Sequence, residues 1–152
     1  MGARFVAGNP EFEADVRRSF SRQTLMNTLG ASLELVAPGE VHVGIHRSAA
    51  LCQQNGFLHA GVITSIADTA CGYAALTLAP AGMDVLAVEF KINLLSPARA
   101  ERFVARARVL RPGRTLTVSL AEVAGISDSG EDLVATMLST VITRPAAGAK
   151  RD

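Results

Sequence analysis

Hydrophobic residues recur along this chain in three rhythms. Between residues 10 and 29, Phe12, Val16, Phe20, Leu25 and Leu29 fall at helix-compatible spacings. Asn9 is placed to cap this stretch, with Pro10 at its first position and Gly30 at its end. The pattern predicts a single amphipathic helix lying on the rest of the chain. At 31–36 and 41–46 the period drops to two, with Leu33, Leu35, Val41, Val43 and Ile45 alternating around Pro38-Gly39-Glu40, which predicts a β-hairpin. Residues 48–58 read as a loop with room for one helical turn.

Residues 60–79 contain no proline and no strict alternation, and their length suits a helix of about five turns. Thr64, Ser65, Asp68, Thr69, Tyr73 and Thr77 are too few and too scattered to make a solvated face, so protein should cover most of this helix. After Pro80-Ala81-Gly82 the period is two again. Leu86, Val88, Phe90, Ile92 and Leu94 fall on one face and Ala87, Glu89, Lys91 and Asn93 on the other, predicting a strand with one buried side. Three more strands follow at 102–110, 116–123 and 133–143, separated by Arg111-Pro112-Gly113-Arg114 and a polar turn at 125–132. Short turns make these four strands mostly antiparallel neighbours, curled around the one element that is apolar on nearly every side. The expected class is α+β: a lead-in helix at 1–29, one domain at 30–143, and a tail at 144–152 that should fray.

Composition narrows the functional classes. The 152 residues suffice for one domain with a sizeable core, and 49% hydrophobic against 19% charged residues describes a folded chain. A net charge of +1 gives no whole-chain reason to expect nucleic acid as partner. The central Asp68 and the lack of flanking basic clusters argue against a membrane span at 60–79. The N-terminal residues carry no continuous apolar segment, so no signal peptide is expected, and Val6 removes the myristoylation reading of Gly2. Cys52 and Cys71 have no metal-ligand spacing and read as reduced core thiols, which suggests a cytoplasmic setting. No metal site is expected.

Chemistry concentrates between residues 53 and 78. Asp68 is the sole carboxylate between Arg47 and Asp84, and His59 the sole histidine there. A mid-helix acid in such apolar surroundings is usually either satisfied by a partner or functional. His59 reads more readily as a helix-start residue bonded to local backbone. Nine residues apart on one helix, the two would sit roughly 13 Å apart along the axis and point to opposite sides. If both serve one site, that site is assembled from two chains. The first helical N–H groups, at Ala60 and Gly61, lie at the positive end of the helix dipole and can polarise a carbonyl. Asp68 of a second chain could then activate water or attack directly, with Gln53, Gln54 or Asn55 orienting that water. Thr64, Ser65 and Thr69 are expected to bond back to the helix backbone. The basic turn at 111–114 is either solvated or a partner for a phosphorylated group.

The segment H-A-G-V-I-T-S-I-A-D, with His59 and Asp68 at its ends, resembles the hotdog-fold acyl-CoA thioesterases of the phenylacetic-acid-degradation type. The likeness covers about residues 30–143 and continues through V-E-F-K-I-N-L-L-S-P-A (Val88 to Ala98) and V-L-R-P-G-R (Val109 to Arg114). It implies a hydrolase in which the N–H of Ala60, following His59, polarises the thioester carbonyl while Asp68 acts across a dimer interface as base or nucleophile. Gln53 would place the water, with Asn55 as substitute. Gly61 would allow close approach of substrate, and Arg111, Gly113 and Arg114 would contact the nucleotide end of coenzyme A.

Two departures stand out: Ala60 replaces the first glycine after the histidine, and Ala87 stands where some relatives place a serine. The resemblance further implies a homo-oligomer, a dimer or a homotetramer built as a dimer of dimers, with no cofactor beyond the coenzyme A of the substrate. A non-catalytic acyl-CoA-binding module on the same fold is the alternative. A medium-chain or aromatic acyl group is the substrate expectation, prompted by Phe57 and Leu58.

Overall fold

The computed structural model describes residues 5–147; Gly2 and residues 148–152 of the expected tail lie outside them. Two short helices, α1 (Phe12–Ser21) and α2 (Thr24–Leu29), precede strands β1 (Ser32–Ala37) and β2 (Glu40–His46). The long helix α3 (Ala60–Leu76) follows, and then β3 (Met83–Leu94), β4 (Arg102–Arg111), β5 (Leu116–Ser127) and β6 (Gly130–Pro145). The six strands form one sheet in the order β1-β2-β4-β5-β6-β3, every neighbouring pair antiparallel. The sheet wraps α3, which packs against β2 through β6. Ala67, Ala70 and Ala74 on the helix and Ala105, Ala107, Ala121 and Ala135 on the strands are buried together, so small side chains on both sides let helix and sheet approach closely.

Four expectations are corrected. The single helix at 10–29 is broken, because Gln23 is extended (φ −75°, ψ 101°). Phe20 and Met26 explain the break. Both are buried, yet on one continuous helix they would point about 120° apart; the kink turns both inward and leaves Leu25 exposed. The long helix ends at Leu76 rather than 79, since the N–H groups of Leu78 and Ala79 turn back to Ala75 and Leu76 at 3.0 Å in a tightened last turn before Pro80.

The third correction concerns β3. It is an edge strand whose predicted apolar face is split by a register shift between Ala87 and Glu89. The extra residue, Val88, reverses the alternation, so Phe90 and Ile92 share a face with the inward Ser139 and Met137, whereas Leu86 pairs with Ile142 on the other face. Val88 is 55% exposed and Phe90 43%. The fourth is the tail, where β6 runs on to Pro145 and Ala146 donates to the Gly82 carbonyl at 3.0 Å.

Candidate active site

The start of α3 is built by a loop closed on itself by backbone hydrogen bonds. Cys52 and Leu58 form an isolated antiparallel bridge, and the Gln53 N–H donates to Phe57 O while the Gly56 N–H donates to Gln53 O, both at 2.9 Å. Gly56 closes the turn at φ +81°, in the left-handed region that glycine enters without strain. The loop is tied to the body by Leu58 N–H to Ala98 O at 3.0 Å and His59 N–H to Leu51 O at 2.9 Å.

His59 then caps the helix. Its Nδ1 accepts from the Gly61 N–H at 2.8 Å, and its carbonyl accepts from Val62 and Ile63. With the His59 N–H already held by Leu51 O, three of the four orphan donors of the first turn, those of His59, Gly61 and Val62, are used. The fourth, the Ala60 N–H, donates to no described residue. It is therefore the one dipole-end donor left for a ligand, and Gly61, expected to serve with it, is already occupied by the cap.

Gln53 and Ala60 line one cavity of about 350 Å³, together with Phe57, Leu94, Pro97 and Val134. The Gln53 carboxamide oxygen also accepts from the Asn55 N–H, and Asn55 itself sits exposed outside this cavity. A second cavity, about 380 Å³, contains Asp68 with Thr69, Tyr73, Gln23, Asp84 and Ala87. Ser65, Asp68, Thr69 and Gly72, four of the half-buried residues of α3, thus form one stripe facing this hollow rather than the scattered set read from the sequence. Thr64 and Ser65 do bond back, to the carbonyls of Ala60 and Gly61 at 2.8 and 2.7 Å.

The Asp68 carboxylate accepts no hydrogen bond from a described residue, and burial raises its pKa above the ordinary value. Burial, helped by the Asp68 charge, pushes the neighbouring Cys71 thiol up to about 12, which keeps it protonated and inert. Eight residues separate Ala60 from Asp68, or about 12 Å along the helix axis. One chain therefore presents the carbonyl-polarising donor and the acid in two different cavities.

The basic turn is farther away. Arg111 closes the end of β4 opposite Arg102, roughly 30 Å along the strand at the usual rise, whereas the α3 start sits beside Ala98 at the near end. Within one chain, Arg111 and Arg114 do not approach His59. Gly113 has a structural reason to be glycine, because a Cβ there would lie 2.2 Å from the Leu116 carbonyl oxygen.

The sequence reading missed the wall over Asp68. Gln23 Nε2 donates to the Tyr73 hydroxyl at 3.0 Å, which donates to Ser19 Oγ at 3.1 Å, so the α1–α2 elbow closes one side of that cavity. Asp84, a second acid on the same cavity, was equally unmarked. Its only signal is a carboxylate next to the start of β3, just ahead of the apolar run at 85–88. Among the described residues no group of three or more His, Cys, Asp or Glu could hold a metal ion, and no helix is long and apolar enough to cross a membrane.

Comparison with known proteins shows the family. The profile of the Thioesterase superfamily matches residues 55–126, a span that holds the loop tip, the α3 start, Asp68 and the basic turn. A crystal structure of a thioesterase family protein from Silicibacter pomeroyi is 46% identical, with TM-score 0.87 over 89% of this chain and 99% of that one. The PaaI protein from the phenylacetic acid degradation operon of E. coli shares the fold at 21% identity, with TM-score 0.77 over 91% of this chain and 95% of that one. A protein of Saccharolobus solfataricus, provisionally named an esterase, is 30% identical over 105 residues, covering 69% of each chain. With these likenesses on a hotdog fold, the chain belongs to the thioesterase superfamily and is a thioester hydrolase.

Proposed function

We propose that this protein hydrolyses acyl-coenzyme A thioesters at sites shared between two copies of the chain. One observation carries the reading: the unclaimed Ala60 N–H and the unpaired Asp68 carboxylate lie on one helix but in separate cavities. In a two-fold pair, the partner's Asp68 faces the helix start of the first chain. The thioester carbonyl oxygen accepts from the Ala60 N–H at the positive end of α3, where charge developing on that oxygen is stabilised. Gln53 holds a water beside the carbonyl carbon. The partner's Asp68 takes a proton from that water as its oxygen bonds to the carbon, and a raised pKa makes it a stronger base than an exposed aspartate. The tetrahedral oxyanion collapses, the C–S bond breaks, and the proton goes to the departing coenzyme A thiolate. Direct attack by the carboxylate is the other route open to Asp68, through a mixed anhydride that water then opens.

The β3 edge supplies the contact between copies. Its outer edge pairs with no strand among the described residues, and Val88, Phe90 and Leu94 stand exposed along it. A second apolar area, with Leu116 and Leu138 each about half exposed on β5 and β6, supports the pairing of two dimers into a tetramer. The apolar walls of the Gln53 cavity, Phe57 and Leu94 among them, fit a medium-chain or aromatic acyl group, and the free thiols Cys52 and Cys71 fit a cytoplasmic enzyme.

The test is thiol release from short, medium, long and aromatic acyl-coenzyme A esters by wild type and Asp68→Asn. Release that falls by about a hundredfold or more in the variant supports the reading. Binding of the esters by both proteins without turnover replaces it with a non-catalytic binding module.

A further inference from the structure

Arg47 follows the last residue of β2 and reaches into the loop that builds the helix start. Its Nη1 donates to the Gly56 carbonyl at 2.8 Å, its Nη2 donates to the Glu101 carboxylate at 3.2 Å, and its own N–H donates to Glu101 O at 2.8 Å. Its Nη1 also lies 4.0 Å from Cys52 Sγ. One side chain thus spans the end of β2, the lead into β4 and the tip of the Gln53 loop. The arrangement carries a cost, because the Arg47 Nε–H is sealed from solvent and has no acceptor among the described residues. A surface ion pair with Glu101 alone would not require that burial.

The identity of the clamped carbonyl matters. Gly56 lies four residues before Ala60, so its oxygen is the acceptor that the Ala60 N–H would take if α3 began one turn earlier. It does not take it. His59 is extended at ψ 139°, and the Gly56 oxygen is engaged by Arg47. The same clamp fixes the turn whose Gln53-to-Phe57 and Gly56-to-Gln53 bonds present Gln53 to the cavity shared with Ala60. We infer that Arg47 is a positioning residue for hydrolysis: by holding the Gly56 carbonyl it keeps the Ala60 N–H free for substrate and Gln53 directed at the reacting carbon. The inference rests on the roles proposed above for Ala60 and Gln53. Lysine cannot replace it fully, since one ammonium does not span carbonyl and carboxylate as the planar fork does.

The experiment compares wild type, Arg47→Met, Arg47→Lys, Gln53→Ala, the Arg47→Met/Gln53→Ala double variant and Asp68→Asn. Each is assayed for kcat and KM in thiol release, for thermal unfolding, and for the backbone amide resonances of Gly56, Ala60 and Gly61. Small misplacement of a reacting group can cost up to about a hundredfold. The expected result for Arg47→Met is therefore a kcat loss of about tenfold or more with KM changed less than about threefold, Arg47→Lys lying between. The double variant should lose no more than the worse single variant, because Arg47 acts through the loop that Gln53 occupies.

The Ala60 amide should shift in Arg47→Met, a readout that needs no turnover. If Arg47→Met does not fold, Arg47→Lys carries the same tests. A kcat within about twofold of wild type, losses that multiply in the double variant, or an unmoved Ala60 amide overturns the inference. An Asp68→Asn enzyme that stays active would instead sink the proposed chemistry, leaving the clamp to be judged on the amide alone.

Discussion

Ala60→Pro isolates the contribution of a single N–H. At the first helical position proline is well accommodated, since its fixed φ suits a helix and its missing donor would otherwise have no partner. Here the Ala60 N–H donates to no described residue, so no hydrogen bond of the fold is lost. The residue before a proline is pushed to extended backbone, and His59 is already there at φ −63°, ψ 139°. Stability should hold or rise by about 0.4–1 kcal/mol through a stiffer unfolded chain, a Tm change of about 1–4 °C at this size.

Activity should behave differently. Removing one oxyanion donor costs about 10²–10³ in kcat, or roughly 2.7–4 kcal/mol of transition-state stabilisation. Thiol release and thermal unfolding are measured on the same samples, with Ala60→Val as the control that adds bulk but keeps the N–H. The reasoning fails if Ala60→Pro keeps kcat within about threefold of wild type, or if Ala60→Val falls as far, since bulk rather than the lost donor would then be responsible.

Two further predictions concern stability. Asp68 has a folded-state pKa raised by burial above its ordinary 3.8, so the folded protein holds that proton more tightly than the unfolded chain, and the ionised group opposes folding at neutral pH. Asp68→Asn should therefore unfold at a higher temperature than wild type at neutral pH, with an advantage that shrinks as pH falls through the folded pKa and vanishes below about 3.8; an equal advantage at all pH values would refute it. Thr77 is fully buried and accepts from the Gly39 N–H at 2.7 Å while donating to Ala74 O at 2.7 Å, tying the β1–β2 turn to the end of α3. Thr77→Val strands that N–H and should cost about 2 kcal/mol, lowering Tm by about 4–8 °C with kcat unchanged, whereas Thr77→Ser should keep most of the stability; calorimetry of the three proteins decides.

The long helix was legible because nothing else fits a proline-free apolar run of that length, and Asp68 stood out for being the only charge within it. The same reasoning showed that His59 and Asp68 could not meet in one chain. Other features depend on which surfaces remain uncovered, and local pattern does not carry that. The face expected to be buried on β3 lies on a sheet edge, and one inserted residue, Val88, reverses its phase. The helix break at Gln23 follows from two anchors, Phe20 and Met26, reaching the same core from incompatible angles. Arg47 reads as an ordinary cation after a strand, and its bond to the Gly56 carbonyl exists only because the loop folds back upon itself.

The central claim is that the two working groups come from different chains, and a mixed dimer tests it directly. Asp68→Asn and Ala60→Pro chains carrying different affinity tags are produced together, and the heterodimer is purified through both tags. If the site is shared, one of its two sites holds both lesions and the other holds none, so activity should return to about half that of wild type although each parent is inactive. A heterodimer as inactive as its parents would mean that Ala60 and Asp68 act within one chain, contradicting the account.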